Sequence, residues 1–262
     1  MDRQRLHTTE LGESGSRVVF CHGLFGQGRN FTAIAKQLAD RHRVTLVDMP
    51  DHGRSPWSDH FDYFTAADQV ADLLTADDPV ALVGHSMGGK IAMLVALRHP
   101  ELVERLVVVD VAPVPYDHAT EFDGYITAMR AIDLDGLQRR SEAEDALREA
   151  VRSATVRGFL LQSLRRDGDH WRWLLNLELL GRDLDAVTDW PEASLAGTPA
   201  YDGPVLWVGG ADSGYVHTDY VEAMNRWFPR NRRVTIKGAG HWVHSEQPEV
   251  FVEVLRRFLG PA

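Results

Sequence analysis

Apolar residues recur in two rhythms along this chain. Short runs at Arg17 to Cys21, Val44 to Val47, Val80 to Val83, Leu106 to Val109, Pro204 to Val208 and Arg233 to Ile236 read as strands. The first of these has too few polar residues for a half-exposed face, so it belongs inside a parallel sheet covered on both sides. Between the runs lie segments with helical spacing: Asn30 to Ala39 (Phe31, Ile34, Ala35, Leu38), Phe64 to Ala76, Ile91 to Leu97, Tyr220 to Phe228 and Glu249 to Leu259. Thr65, with Asp68 three residues on, is the expected cap of the second helix. Pro100 is expected to stop the third just past His99. The residues before Gly15 read as one or two edge strands with a turn at Gly12 to Ser16. Strands and helices alternating at this rhythm imply right-handed βαβ units and an α/β fold on a doubly wound, mainly parallel sheet.

The rhythm changes between about Ala112 and Ala200. Tyr116 to Gly181 shows helical patterns, for example Ser141 to Arg152 and Phe159 to Leu164, with no convincing strand, and is rich in charge and large aromatics. It is neither Gly/Ser-rich nor of low complexity, so a linker is excluded. The expected organisation is a core of residues 1–111 and 201–262 carrying a helical cap of residues 112–200 over one end of the sheet.

Chemistry is concentrated after the Val80 run, in Gly84-His85-Ser86-Met87-Gly88-Gly89-Lys90. Gly84-x-Ser86-x-Gly88 between a strand and a helix is the pattern of a strained turn that exposes a serine hydroxyl, with glycines where a Cβ would clash. The following helix aims its first N–H groups at the zone where negative charge develops in acyl transfer. Serine needs a base to take its proton, and the base needs a third group to orient it. Among the 12 histidines, His241 lies in a loop after the last strand and can fold back to Ser86. His244 is a weaker competitor. His85 should point away from its neighbour Ser86, and His22 reads as a strand-end packing residue. Asp110 and Asp212 both end apolar strands and both satisfy the chain order serine, acid, histidine, so the acid stays open between them. The main-chain N–H groups of Met87 and Leu24 are the candidate oxyanion donors. Phe25, Tyr215 and Trp242 are candidates for lining a substrate pocket. His241 and His244 lack a third ligand at suitable spacing, so no metal is expected, and no cofactor is required.

Composition narrows the choice of partners. The chain has 262 residues and a formal net charge of −10, which argues against nucleic acid or an anionic membrane as partner, since both need a concentrated basic face. The single cysteine, Cys21, excludes an internal disulfide framework and points to a reducing compartment, the cytoplasm. Met1 to Phe20 carries charges at Asp2, Arg3, Arg5 and Glu10 and no apolar signal core, and no later stretch reaches membrane-spanning length.

With these pieces in place the chain resembles the α/β-hydrolase superfamily, and within it the YbfF-type bacterial esterases and the mitochondrial ABHD11-type hydrolases. The resemblance rests on His22-Gly23-Leu24-Phe25-Gly26 with Asn30-Phe31, Asp51-His52-Gly53-Arg54-Ser55, Gly84 to Lys90, Val109-Asp110-Val111-Ala112-Pro113-Val114 and Gly238-Ala239-Gly240-His241-Trp242-Val243-His244. It implies Ser86 as nucleophile, His241 as base, a carboxyl-ester substrate and, for this subgroup, an acid at Asp110. The chain departs from the subgroup at Gly209 to Val216, where it carries Asp212, the commoner acid position across the superfamily. The expected activity is cleavage of small to medium acyl esters or thioesters by a monomer or homodimer. A cofactor-free perhydrolase, a C–C bond hydrolase and a non-catalytic ligand receptor of the same fold are the alternatives.

Overall fold

The apolar runs become strands of one sheet. The computed structural model describes residues 5–116 and 119–260; Asp2 and Arg3 lie outside the described residues. In chain order the core opens with β1 (Thr8–Leu11), β2 (Ser16–Cys21), α1 (Thr32–Leu38), β3 (His42–Val47), α2 (Tyr63–Ala71), β4 (Val80–His85), α3 (Met87–Arg98) and β5 (Val103–Val109). The insert follows, with α4 (Ala119–Arg130), α5 (Arg140–Leu147), α6 (Ala154–Leu160), β6 (Leu164–Asp167), β7 (His170–Trp173), α7 (Leu177–Arg182) and α8 (Leu184–Thr188). The sheet resumes with β8 (Val205–Gly210), α9 (Val221–Trp227), β9 (Asn231–Ile236), α10 (Val243–Glu246) and α11 (Pro248–Leu259). The seven core strands run in the order β1-β3-β2-β4-β5-β8-β9. Only β1 is antiparallel to its neighbour.

Side-chain alternation assigns each strand residue to one of two layers. Val18, Phe20, Val44, Leu46, Ala81, Val83, Val107 and Val109 pack with α1 and α11. Val19, Cys21, Val47, Leu82, Leu106 and Val108 pack with α2, α3 and the insert. Both faces are therefore covered, which explains the continuous rather than alternating apolar runs. Helix α11 shows the opposite case: Phe251, Val252, Leu255 and Leu259 are buried while Glu249, Glu253, Arg256 and Arg257 are exposed, one apolar stripe on an otherwise charged helix.

Two expectations need correction. Helix α2 starts at Tyr63, is capped by Asp62, whose carboxylate accepts the Thr65 N–H at 2.7 Å, and ends at Ala71. Thr65 is thus the donor at the cap rather than the cap itself. The last predicted turn is lost because Asp78 N–H bonds Thr75 O in the turn that delivers Pro79 and β4. The insert is also not wholly helical, since β6 and β7 pair as an antiparallel hairpin through Gly168-Asp169, with Gly168 at φ +62°. Of its residues only Leu164 and Trp173 are buried, so the hairpin lacks the apolar alternation that marks a strand in sequence.

The insert is tied to the core by main-chain bonds. Gly53 N–H donates to Leu174 O at 2.8 Å and Asn176 N–H to Asp51 O at 2.9 Å, while within the insert Tyr116 N–H donates to Thr188 O at 3.1 Å. Lys90, in the first turn of α3 and 2% exposed, donates to Thr188 O and Asp189 O, both at 2.6 Å. Burial holds its ammonium down to about 7, against the pull of Asp189. Among the described residues no helix is long and apolar enough to cross a membrane.

A close backbone approach that bears on Ser86 lies at the amino end of α3. A Cβ on Gly84 would sit 2.3 Å from Gly88 O, and one on Gly88 would sit 2.4 Å from both Cys21 O and His22 O. Backbone opposes backbone there, so no side chain can rotate away. Gly88→Ala is expected to lose on the order of 3 kcal/mol in urea unfolding. Gly124→Ala, on the exposed face of α4 with nothing near its would-be Cβ, should gain about 0.5–1 kcal/mol. A Gly88→Ala protein with the wild-type midpoint would show that this approach is not required.

Candidate active site

Four non-glycine residues among those described have positive φ: Phe25 (+67°), Asp51 (+65°), Ser86 (+52°) and Asp110 (+52°). They follow β2, β3, β4 and β5 in turn, so all lie at the carboxyl edge of the sheet, where such folds place ligands. Ser86 is the residue before α3. Its N–H donates to Val109 O at 3.0 Å and its carbonyl accepts from Gly89 and Lys90. That conformation turns Oγ out of the strand line while the backbone stays fixed by hydrogen bonds.

Asp110 is fully buried at the end of β5. Its Oδ1 accepts the Gly210 N–H at 2.9 Å, and its Oδ2 accepts the Ser213 hydroxyl and lies 2.8 Å from His241 Nδ1. His241 Nε2 is 3.0 Å from Ser86 Oγ. A carboxylate can only accept, so Nδ1 carries the imidazole proton and Nε2 is left to accept from the serine hydroxyl. The ring is held on other sides too. Tyr215 stacks on it at 4.1 Å between centroids and 28° between planes. His85 Nε2 donates to the His241 carbonyl at 2.8 Å, so His85 faces the His241 backbone and not Ser86 Oγ.

Asp212 sits elsewhere. It is exposed, and its N–H donates to Ala239 O at 2.9 Å. The carboxylate against His241 is that of Asp110, while the loop after β8 contributes the Gly210 amide and the Ser213 hydroxyl that support it.

Leu24 and Met87 line a cavity with Ser86, Tyr63, Lys90, Tyr116, Phe122 and Tyr215. Leu24 lies in a tight loop in which Gly23 O accepts from Gly26 N–H at 3.0 Å and from His22 Nδ1 at 2.8 Å. His22 Nε2 in turn accepts the Met49 N–H at 2.9 Å. The cavity measures about 20 Å³, room for roughly one water. Phe25 and Trp242 are not part of its lining. With its positive φ, Phe25 packs edge-on against Phe122 and Tyr125, and Trp242 packs on Phe159 and the edge of His241.

Residues 16–248 match the family described as the alpha/beta hydrolase fold. The chain belongs to the α/β-hydrolase family. It is 39% identical over 250 residues to the sn-1-specific diacylglycerol lipase ABHD11 of Mus musculus, covering 92% of this chain and 80% of that one. It is 34% identical over 257 residues to esterase YbfF of Escherichia coli (strain K12), covering 97% of each. Its structure superposes on a marine microorganism esterase with a TM-score of 0.91 at 32% identity, covering 97% of this chain and 99% of that one.

Three residues of this hydrolase at the site escaped the sequence reading. Ser213 reaches Asp110, Tyr116 accepts the Ala112 N–H and donates to Tyr215 O, and Lys90 lines the cavity while gripping the insert. Lys90 could have been singled out, since a lysine four residues past the serine on a fully apolar helix has no solvent to face.

The hydrolase also buries its other site-side histidines in neutral form. Burial holds His22, His52, His85 and His244 below their usual range, His244 at about 3. His244 packs on Phe31 and His85, and its Nδ1 has no hydrogen-bond partner among the described residues. The unfolded chain takes up a proton at this residue near its ordinary 6.5 while the folded chain does not. Stability from this residue is therefore intact above 6.5 and drains as pH falls toward 3. His244→Phe is expected to lose about 2 kcal/mol less than wild type between pH 7.5 and pH 5 in denaturant titrations. Parallel losses in the two proteins would refute the neutral, buried assignment.

Proposed function

We propose that this chain, a carboxylic ester hydrolase by family and by relatives, cleaves small to medium acyl esters or thioesters through an acyl-enzyme on Ser86. The observation that carries the reading is the hydrogen-bonded line from Asp110 Oδ2 through His241 to Ser86 Oγ, at 2.8 and 3.0 Å. His241 Nε2 removes the Ser86 proton as Oγ attacks the acyl carbonyl, and Asp110 holds the imidazolium that forms. The Leu24 and Met87 amides receive the oxyanion, Met87 from the first residue of α3 and Leu24 from the loop set by His22. His241 then gives its proton to the leaving oxygen or sulfur, and takes one from the water that hydrolyses the acyl-enzyme.

Residues 112–200 act as a cap over a core of 1–111 and 201–262. A cavity of about 20 Å³ cannot hold even a short acyl chain, so substrate entry displaces cap side chains such as Phe122. The reaction calls for no metal or organic cofactor, and we place the enzyme in the cytoplasm, where the buried thiol of Cys21, held up at about 12, stays inert.

Hydrolysis of p-nitrophenyl esters from acetate to decanoate tests the reading. Wild type should turn over the shorter esters, Ser86→Ala should fall by about 10⁵-fold or to background, and Asp110→Asn should fall by about 10³–10⁴-fold. Asp212→Asn should stay within about twofold of wild type. A folded wild type inert toward every chain length removes simple esters as substrates. A severe loss in Asp212→Asn alone would transfer the acid role to that residue.

A further inference from the structure

The carboxyl edge of the sheet carries a second concavity, and its chemistry differs from that of the Ser86 cavity. It is a groove of about 700 Å³ bounded by β1, the loops after β2 and β3, and the β6–β7 hairpin. Five arginines line it, Arg29, Arg54, Arg165, Arg166 and Arg172, against two aspartates, Asp48 and Asp167. Both acids are engaged. Asp48 accepts the Gly28 and Arg54 main-chain N–H groups and lies 3.3 Å from His7 Nδ1, and Asp167 pairs with Arg172 at 3.1 Å. Arg29 is spent on the Gln162 carbonyl. Arg54 is exposed and Arg165 half-buried, and among the described residues neither is paired with a carboxylate.

This concentration of positive charge occurs in a chain whose formal net charge is −10. A net negative charge disfavours anions at long range, and a local basic concavity reverses that field. Guanidinium forks match the geometry of phosphate oxygens and donate to them in pairs. The placement also fits. Loops after β2 and β3 form the groove, and β3 lies two strands from β4 in the sheet, about 10 Å at the usual strand spacing. A phosphate about five bonds from an ester oxygen held at Ser86 covers roughly 6 Å of that spacing, and an extended arginine side chain can cover the remainder.

We propose that this groove binds a phosphate group carried on the leaving-group side of the ester substrate, with Arg54 and Arg165 as its principal contacts. The inference rests on the ester-hydrolase reading of Ser86. The acyl chain then lies toward the cap cavity and the phosphorylated alcohol toward the groove, so the two halves of the substrate are sorted by polarity.

The test compares 1-butyrylglycerol with 1-butyrylglycerol 3-phosphate as substrates for wild type and for the double variant Arg54→Gln/Arg165→Gln. Wild type should favour the phosphate ester in kcat/KM by about tenfold or more at low salt, and salt should erode the preference. The double variant should lose the preference and keep its rate on the neutral ester. Inorganic pyrophosphate, titrated calorimetrically into Ser86→Ala protein with and without the two arginine changes, should bind about tenfold more weakly when they are present. Equal rates on the two esters in wild type, or pyrophosphate binding indifferent to the arginines, overturns the assignment. If folded wild type cleaves neither ester, the ester-hydrolase reading is what fails, and the pyrophosphate titration decides the groove by itself.

Discussion

The site depends on one close approach, the amino end of α3 pressed against the carboxyl end of β2. Gly88 lies so near the Cys21 and His22 carbonyls that no side chain fits between. Gly23 lies so near His85 and Ser86 that its would-be Cβ would fall 2.8 Å from His85 Nδ1 and 2.9 Å from Ser86 Cβ. The loop bearing Leu24 and the helix start bearing Met87 are thereby locked to either side of the serine. One constraint positions a hydroxyl and two main-chain amides at once, with no side chain spent on the task. It also puts the positive end of α3, whose residues from Met87 to Leu97 are all buried, beside Ser86, where the proposed acyl transfer would develop negative charge.

The remaining groups arrive from distant parts of the chain, and each is braced by a neighbour that does no chemistry. Asp110 is oriented by Gly210 and Ser213 from the far side of the insert, and His241 by Tyr215 and His85. Tyr116 links these supports to the insert. Its hydroxyl bridges Ala112 N–H and Tyr215 O, its N–H bonds Thr188 O, and Lys90 Nζ lies 4.9 Å from its ring centroid. Thr188 O is therefore shared by Tyr116 and Lys90. A buried lysine is unfavourable unless its protons are satisfied, and here it is satisfied by carbonyls of the insert, so the closed insert and the buried lysine depend on each other.

The parallel sheet was legible because strands covered on both faces leave uninterrupted Val, Leu and Ile runs, and the runs at Val80 and Val205 need no knowledge of partners to be read. Ser86 was legible for a local reason, the glycines on either side. Asp110 and Asp212 could not be separated on chain order, because both end buried strands. What distinguishes them is the register of β5 beside β8, which places Asp110 within reach of Gly210 N–H and His241, and register is a long-range property. The hairpin at Leu164 to Trp173 was illegible because its strands stand half in water, and their arginines mask the alternation. Phe25 stands outside the cavity's lining for a backbone reason: composition points an aromatic beside a glycine-rich loop toward the pocket, whereas at φ +67° it packs against Phe122 and Tyr125 of the insert.

Strain at this edge of the sheet is a consequence of that geometry and survives because it is over-determined. A non-glycine residue with positive φ costs about 1–3 kcal/mol, and four occur in succession after four neighbouring strands. Each is pinned. Ser86 N–H is held by Val109 O and Asp110 N–H by Val208 O, both continuations of the sheet ladder. Asp51 N–H is held by Pro56 O, and its carboxylate accepts from Ser58 and Asn176. Phe25 is fixed by packing, being 1% exposed among insert aromatics. The rigid, fully buried strands behind them supply the stability that lets these turns persist. The sheet thus bears the free-energy cost of an edge on which a hydroxyl, an imidazole and a carboxylate stand in line, and a looser core would relax the turns before it unfolded the strands.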